Sequence, residues 1–373
     1  MSAPLLSISQ RTGSTPFTPR VEHAGVKSYT VYNHTLLATA FRTIEADYRH
    51  LKSHVQVWDV SCERQVEVRG PDAARLVQLM TPRDLSRATQ GRCLYVPLVD
   101  ETGGMINDPI ALKLGEDRFW LSIADSDVLL WAKGLAFGMS LDVDITEPDV
   151  FPLAVQGPKA DELMARVFGD ATRSIRFFRF DHLPFNGHPL LIARSGWSRQ
   201  GGFEIYVDDA TLAPALWDAL MVAGRDLAVG PGCPNAIERI EGGLLSYGSD
   251  MTREHNPFEC GLDQYCQLDR PTEFMSRGAL QRIVDEGIAR RIMGLRINAD
   301  GLPPCHVPWP VVMGGQQIGQ VSSAAWSPDF DCGVALAMLG RDHWEPGSPV
   351  EVDTPNGVRS ATVASLPFTN ERA

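Results

Sequence analysis

Four segments of the chain combine residue types that could do chemistry in a cleft. They are Gly103 to Asp108, Arg194 to Tyr206, Ile237 to Asp250 and Pro16 to His34. The sequence contains no G-x-S-x-G elbow, Walker A loop or G-x-G-x-x-G pattern, and therefore no recognisable enzyme nucleophile or phosphate loop. Such a chain is expected to position a bound cofactor that carries the chemistry.

The first segment places a carboxylate, Asp108, directly before Pro109. Two predicted strands, Leu94 to Val99 and Ile110 to Leu114, flank it. One interpretation is an ordinary hairpin in which Asn107 and Asp108 supply turn polarity. The other is that Pro109 fixes Asp108 so that its carboxylate faces the cleft. There it could accept a proton from a reacting amine or stabilise positive charge on it.

The second segment surrounds an indole, Trp197, with glycines at Gly196 and Gly201-Gly202. Glu204 and Tyr206 follow two residues apart on a predicted strand, and so they share one face of it. Trp197 could be a core aromatic and Glu204 part of an exposed polar face. Glycines that narrow the backbone around one indole are costly, however, and indicate a ligand or close packing.

The other two segments also contain charged and aromatic side chains. Ile237 to Leu245 predicts a helix, in which Glu238, Arg239 and Glu241 could form a solvated charge ladder. Pro16 to His34 is either an irregular surface arm or a segment that closes over a ligand. Its polar and aromatic residues are Arg20, Lys27, Tyr29, Tyr32 and His34.

An internal similarity predicts the elements that hold these segments. A strand, a Gly-Pro break and a helix start occur twice, at Gln65 to Ala74 and at Pro152 to Asp161. A strand that leads into a helix also occurs twice, over Phe119 to Ala136 and over Phe203 to Ala223. The sequence therefore predicts two similar α+β halves, which would leave a cleft between them.

The pattern changes to short strands after Arg290. Asn356-Gly357 is a strong hairpin signal between the last two of them. The predicted strands are Met293 to Ile297, Trp309 to Met313, Ile318 to Ser322, Gly333 to Leu339, Val350 to Val352 and Arg359 to Ala364. We therefore expect a separate C-terminal β domain.

Composition limits the function classes. The 373 residues suggest two or three domains, and the net charge of −12 argues against a nucleic-acid or anionic-membrane surface. The seven cysteines include no C-x-x-C pair, which favours free thiols in a reducing cytoplasm. No signal-peptide core or membrane span is expected. The nine histidines include no H-E-x-x-H pattern, and so we expect no dedicated metal site.

Three motifs resemble the aminomethyltransferase (glycine-cleavage T-protein) superfamily. They are the Gly-Gly-x-x-x-Asp loop ending at Asp108, the R-x-G-W-x-x-x-x-G-F-E segment from Arg194 to Glu204, and I-E-R-I-E-G-G-L-x-x-Y-G-x-D from Ile237 to Asp250. The resemblance extends from about residue 14 to 368. Within the superfamily the sequence is most similar to the branch that demethylates dimethylsulfoniopropionate. The segments that carry this are Thr15 to Thr18, Tyr32 to His34, Val55 to Val60, Met80 to Leu85, Leu94 to Pro97, Ile106 to Pro109 and Asp125 to Val128.

The resemblance implies an α+β fold, a three-domain cloverleaf around a central folate channel. Two pseudo-repeated α+β domains and a C-terminal β-barrel would build it. We place the folate-binding domain at residues 1–50 and 145–285, the second α+β domain at 51–144 and the barrel at 286–373.

The resemblance also implies tetrahydrofolate-dependent demethylation of dimethylsulfoniopropionate, giving 3-methylmercaptopropionate and 5-methyltetrahydrofolate. Departures from the superfamily pattern, Gly196 to Gln200 in place of Gly-Tyr-Thr-Gly-Glu and Asn107-Asp108 in place of paired aspartates, put glycine cleavage itself in doubt. Asp108 corresponds to the catalytic aspartate and Glu204 to the pterin-binding glutamate.

Other site residues are expectations for the two substrates. For the folate we expect Tyr95 against an aromatic ring and Arg239 on carboxylates, with an ion pair from Arg239 to Glu238 or Glu241 as the alternative. For the sulfonium we expect an aromatic wall at Trp197, with Tyr206 beside it. For the donor's carboxylate the candidates are Arg20, Lys27, Ser122 and Tyr32.

Other functions remain open on the sequence alone. The same folate chemistry could act on a betaine, an N-methyl amine or a methoxy-aromatic donor. A non-catalytic folate-binding protein and a purely structural protein of this fold are further alternatives. We expect a cytoplasmic protein, with a homodimer as one option for its oligomeric state.

Overall fold

The computed structural model describes residues 8–369 as a mixed α+β chain that ends in a β-barrel. The helices are α1 Thr18–His23, α2 Ile44–Ser53, α3 Ala73–Leu79, α4 Val128–Gly138, α5 Ala160–Phe168, α6 Ala213–Ala223, α7 Ala236–Glu241 and α8 Arg277–Glu286. The strands before the barrel are β1 Ser28–Tyr32, β2 Thr35–Ala40, β3 Gln56–Asp59, β4 Gln65–Arg69, β5 Cys93–Tyr95, β6 Leu98–Val99, β7 Met105–Asn107, β8 Ile110–Lys113, β9 Arg118–Ser122, β10 Asp144–Thr146, β11 Phe151–Gln156, β12 Phe180–Phe185, β13 His188–Ala193, β14 Gly202–Val207 and β15 Gly230–Pro231. The barrel strands are β16 Arg290–Ile297, β17 Trp309–Met313, β18 Gln316–Ser327, β19 Cys332–Gly340, β20 Pro349–Thr354 and β21 Gly357–Ala364.

Contacts between residues divide the chain into two units. The first contains residues up to 65, 148–196 and 200–234. Its main sheet has the order β12-β13-β14-β11-β3-β15, and α5 and α6 pack on its apolar face. Leu153, Val155, Phe203 and Ile205 are buried in that core because alternate residues of a strand point to the same side. Glu204 and Tyr206 consequently point to the opposite face of β14.

The second unit contains residues 66–147, 197–199 and from 235 onward. It holds the five-stranded sheet β10-β4-β9-β8-β5 and the closed barrel β16-β19-β18-β17-β20-β21. All six predicted C-terminal strands are confirmed. The last hairpin pairs Thr354 with Gly357, whose φ of +94° explains why glycine follows Asn356 at this turn.

The predicted internal repeat is confirmed. In one half Gly70-Pro71 joins β4 to α3, and in the other Gly157-Pro158 joins β11 to α5. The first strand of each half lies beside the strand that leads into its second helix, β4 beside β9 and β11 beside β14. The boundaries of the three predicted domains remain a prediction. Strand β3 lies within residues 51–144, the range predicted for the second α+β domain, but it pairs with β11 in the first unit.

Two predicted elements are shorter than expected. The strand predicted over Leu94 to Val99 is interrupted at Val96-Pro97, because proline has no N–H for a sheet. The helix predicted over Ile237 to Leu245 ends at Glu241, since Gly243 has a φ of +65°. Among residues 8–369, no helix is long and apolar enough to cross a membrane.

Candidate active site

Asp108 is held at the end of β7 by its buried neighbour Asn107. Asn107 Oδ1 accepts hydrogen bonds from the Asp108 N–H at 2.9 Å and from the Ala124 N–H at 3.0 Å. Its Nδ2 donates to Ala124 O at 2.9 Å and to Ser126 Oγ at 2.8 Å. The hairpin interpretation of Asn107-Asp108 is therefore wrong. The turn lies earlier, where the Gly104 N–H donates to Asp100 Oδ1 at 2.9 Å.

The carboxyl group of Asp108 has an electrostatic environment suited to chemistry near neutral pH. Burial raises its pKa to about 7, and the charge of Asp250 adds to the rise. The Tyr95 hydroxyl opposes the rise by donating to Asp108 Oδ2 at 2.9 Å. A carboxyl group whose pKa is so displaced by burial and named neighbours is a candidate functional group.

Tyr95 belongs to an aromatic pair beside that carboxyl. Its ring centroid lies 4.9 Å from that of Tyr265, with the ring planes tilted by 53°. Burial, together with the Asp108 carboxylate, raises the pKa of Tyr95 well above its usual value. Tyr95 therefore acts as a hydrogen-bond donor at working pH, and its ring remains our candidate for packing against the folate.

Arg239 forms an ion pair that the sequence did not predict. Its Nη1 lies 2.6 Å from Asp250 Oδ2, and the Asp250 side chain has no exposed surface. Its Nη2 donates to Ser323 Oγ at 2.5 Å. The ion-pair alternative for Arg239 named Glu238 or Glu241, and in the structure the partner is Asp250 instead. The Arg239 guanidinium carbon also lies 5.7 Å from the ring centroid of the partly buried Trp197.

Glu204 lies in the first unit, in the middle of its sheet. It pairs with Ala154 on one side and Ala193 on the other, and it is 7 % exposed. Ser195 Oγ donates to Glu204 Oε2 in a short hydrogen bond, and the Tyr206 hydroxyl donates to the same oxygen at 3.4 Å. Burial raises the pKa of Glu204, and these donors oppose the rise. The exposed-face interpretation of Glu204 is wrong.

Two glycines of this segment, Gly196 and Gly202, pack closely against the side-chain amide of Gln156. A Cβ on Gly196 would lie 2.1 Å from Gln156 Nε2, and one on Gly202 would lie 2.7 Å from it. The buried Gln156 amide donates to Ser195 O at 3.2 Å. Close packing therefore accounts for these glycines, and it fixes the backbone that carries Ser195.

The remaining predicted site residues occupy different surroundings. Ser122 is buried at the end of β9 and pairs with Ile110, close in sequence to Asp108. Tyr32 ends β1 at a tight turn, where Asn33 and His34 both have positive φ. Arg20 forms an ion pair with Asp218 at 2.7 Å on the surface, which engages the guanidinium we considered for the donor's carboxylate.

Several residues of the site were not found from the sequence. Ser195, Asp250, Tyr265 and Arg83 each contact a predicted site residue, and only the first two lie within the four segments singled out for their chemistry. Arg83 lies in Met80 to Leu85, which carried the family resemblance but no predicted role. Arg83 and Tyr265 contact Tyr95 because the fold brings separate segments together. Glu238 is a further surprise, since both of its carboxyl oxygens are buried without a hydrogen-bond partner among the described residues.

The chain matches two family models along most of its length. The GCVT N-terminal domain matches residues 17–270, and the glycine cleavage T-protein C-terminal barrel domain matches residues 290–370. The chain belongs to the glycine cleavage T-protein family. The resemblance inferred from its motifs is thereby confirmed.

Within this family the chain is similar to proteins of two kinds. It is 56% identical over 355 residues to the dimethylsulfoniopropionate demethylase of Ruegeria pomeroyi, covering 95% of this chain and 97% of the relative. It is 31% identical over 340 residues to the aminomethyltransferase of Symbiobacterium thermophilum, covering 88% and 90%. The aminomethyltransferase T structure from Bartonella henselae shares the fold, with a TM-score of 0.85 at 24% identity, over 96% of this chain and 99% of that one.

Proposed function

We propose that this protein transfers a methyl group from the sulfonium of dimethylsulfoniopropionate to N5 of tetrahydrofolate. The products are 3-methylmercaptopropionate and 5-methyltetrahydrofolate. The observation that carries the proposal is 56% identity, over 95% of the chain, to a relative named as a dimethylsulfoniopropionate demethylase. The retained Asp108 supports a catalytic role over a merely folate-binding one.

The buried side chains of the first unit fit a reduced folate. Both donors to the Glu204 carboxyl meet at Oε2, which leaves Oε1 as an acceptor for the amino and N3–H groups of a pterin. Burial of this carboxyl makes such hydrogen bonds stronger than they would be in water. When bound, the folate supplies a weakly basic amine that accepts the methyl group.

Asp108 stabilises the positive charge that develops at the accepting amine. Its pKa of about 7 keeps a substantial fraction of the carboxyl ionised at neutral pH. The Tyr95 hydroxyl donates to Oδ2 at 2.9 Å and so fixes the carboxylate's orientation.

The main contribution of the protein is to align the two substrates, because the leaving group of the donor is already a neutral thioether. Alignment can contribute about 7–11 kcal/mol to lowering such a barrier, and the transfer needs no enzyme nucleophile and no metal.

Trp197 provides an aromatic wall for the sulfonium. One face of its ring is occupied by the Arg239 guanidinium, and so the opposite face receives the ligand cation. A desolvated cation–π contact is worth about 2 kcal/mol or more. Tyr206, Ser122 and Tyr32 remain proposed contacts for the donor. Arg239 remains a proposed folate contact, acting from within its pair with Asp250.

The cellular setting is also proposed. Free cysteines and a net charge of −12 support a cytoplasmic protein without nucleic-acid partners. A homodimer is the oligomeric state we propose to test by light scattering of the purified protein. The mass expected for one chain is 41.0 kDa, and a homodimer would give twice that value.

An anaerobic assay tests the proposed reaction. The purified protein is incubated with tetrahydrofolate and dimethylsulfoniopropionate, and 5-methyltetrahydrofolate is followed by chromatography. Glycine betaine, dimethylglycine and a methoxy-aromatic are tested in parallel. We expect product only with the sulfonium, and its loss in Trp197→Ala but not in Trp344→Ala, a partly buried tryptophan of the barrel. Folate binding without product from any donor would favour a non-catalytic protein.

A further inference from the structure

Arg83 presents a partly buried guanidinium to the aromatic pair beside Asp108. Its Nη1 donates to the backbone oxygen of Tyr95 at 2.5 Å, and its guanidinium carbon lies 5.1 Å from the ring centroid of Tyr265. Within residues 8–369 this is the one side-chain hydrogen bond that Arg83 makes, and it has no carboxylate partner. The rest of its planar fork of N–H donors is free for a ligand.

Two carboxylates of this unit are already paired with other arginines. Asp84, the next residue along the chain, is held by Arg270 at 2.8 Å and is therefore not available to Arg83. Glu259 is held likewise by Arg290 at 3.0 Å. Burial lowers the pKa of Arg83, and the neighbouring Tyr265 only partly opposes this effect.

A second guanidinium increases the unbalanced positive charge. Arg92 is close enough for its charge to lower the pKa of Arg83 further. No carboxylate pairs with Arg92 in the described part of the chain, and its Nε is buried without a hydrogen-bond partner. The protein as a whole has a net charge of −12, but these two guanidinium groups repel each other locally. A bound anion would remove this unfavourable interaction.

Tyr95 connects this positive charge to the reaction centre. Its backbone oxygen accepts from Arg83, and its hydroxyl donates to Asp108 Oδ2 at 2.9 Å. Arg83 and Asp108, the candidate catalytic residue, therefore contact opposite ends of the same tyrosine. Both proposed substrates carry a carboxylate at a distance from their reacting atom. A planar guanidinium suits such a group because it can bind both carboxylate oxygens at once.

The geometry points to Arg83, supported by Arg92, as the binding site for a carboxylate of one of the two substrates. That carboxylate is either the one of the sulfonium donor or one of the folate's glutamate. The inference rests on the proposed function and names the group that recognises the anionic end of a substrate. Arg20, considered for this task from the sequence, is already paired with Asp218.

Steady-state kinetics of Arg83→Gln test the inference. We expect KM for one substrate to rise about 10- to 100-fold, as for loss of a charged hydrogen bond, with kcat nearly unchanged. Arg83→Lys should recover part of the loss, and Arg92→Gln should show a smaller effect on the same KM. The matched control is Arg277→Gln. Arg277 donates to the backbone oxygens of Thr272 and Leu268 and lies 5.8 Å from the Phe274 ring. That variant should lower the melting temperature and leave both KM values unchanged.

Truncated substrates identify which carboxylate is bound. If it belongs to the donor, Arg83→Gln will not change kcat/KM for trimethylsulfonium, which has no carboxylate. If it belongs to the folate, the variant's effect will vanish with a reduced pteroate that lacks glutamate. Wild-type KM values for both substrates in Arg83→Gln would overturn the inference and leave Arg83 a structural residue.

Calorimetric binding separates this inference from the proposed reaction. A wild-type protein that makes no methylated folate would refute the reaction, yet the binding of each substrate could still be compared with that of Arg83→Gln. Weaker binding of a carboxylate-bearing ligand by the variant would then support the site by itself. Equal binding by both proteins would contradict it.

Discussion

The Tyr95 hydroxyl donates to Asp108 Oδ2 at 2.9 Å, and this contact opposes the effect of burial on the pKa of Asp108. Burial favours the neutral acid and raises that pKa to about 7, whereas the hydrogen bond favours the carboxylate. Removing this hydroxyl group would therefore lower the ionised fraction of Asp108 at neutral pH. The aromatic ring that carries this hydroxyl is our candidate folate contact.

The first prediction concerns the pH dependence of methyl transfer. If the ionised form of Asp108 is active, kcat will fall as the pH is lowered through about 7. Tyr95→Phe keeps the ring and removes the donor, and so it should raise the pKa of Asp108 and move the inflection to higher pH. A pH profile of kcat for both proteins measures this. Asp108→Asn should lose the inflection, and a shift to lower pH in Tyr95→Phe would refute the assignment.

The second prediction uses Asp250, whose charge raises the pKa of Asp108. Asp250→Asn should move the inflection to lower pH, opposite to Tyr95→Phe. The same change leaves the Arg239 guanidinium buried without its counter-charge, and so we expect a loss of about 3–5 kcal/mol in unfolding free energy. Urea denaturation measures that loss.

The control for Asp250→Asn is Asp84→Asn. Asp84 pairs with Arg270, whose side chain is 41 % exposed. A pair so close to water should contribute about 1 kcal/mol or less. Equal losses in the two variants would contradict the assigned strength of the buried Arg239–Asp250 pair.

The third prediction concerns Glu204 and its donor Ser195. Glu204→Gln should raise KM for tetrahydrofolate by about 10- to 100-fold, because a charged acceptor becomes neutral. Ser195→Ala removes a donor that lowers the pKa of Glu204, and that pKa should rise further. Folate affinity of Ser195→Ala should therefore fall at neutral pH and recover as the pH increases. Calorimetric titrations at several pH values test this, and recovery in Glu204→Gln would be inconsistent with it.

The sequence predicted most of the elements and only part of the site. The barrel strands followed from short apolar runs separated by turn residues, and Asp108 and Glu204 followed from motifs in continuous segments. Arg83 could not be recognised from the sequence as a candidate binding residue. The neighbouring carboxylate of Asp84 forms an ion pair with Arg270, which is distant in the sequence, and so Arg83 has no carboxylate partner among the described residues. Gly196 and Gly202 were assigned to Trp197, since nothing in the sequence showed that Gln156 lies against them.

Helix α7 shows the same limit. Glu238 and Glu241 look alike in the sequence, three residues apart with Arg239 between them. In the structure Glu241 Oε1 accepts from Ser327 Oγ at 2.5 Å, while both Glu238 oxygens are buried without a partner among the described residues. Which of the two glutamates accepts a hydrogen bond depends on the barrel residues that α7 contacts. The local sequence pattern does not contain that information.

The last prediction follows from this difference. Burial raises the pKa of Glu238 well above its ordinary value, and so the native state keeps a proton that the unfolded chain releases. The stability associated with Glu238 is therefore greatest at low pH and is lost as the pH rises from the ordinary glutamate pKa toward the raised one. Glu238→Met removes the unpaired oxygens and should add about 1–3 kcal/mol to the unfolding free energy at pH 8, with a smaller gain at pH 5. Glu241→Met loses a satisfied hydrogen bond and should be destabilising at both pH values. Urea denaturation of the two variants at pH 5 and pH 8 compares them, and destabilisation by Glu238→Met at pH 8 would show that Glu238 has a partner after all.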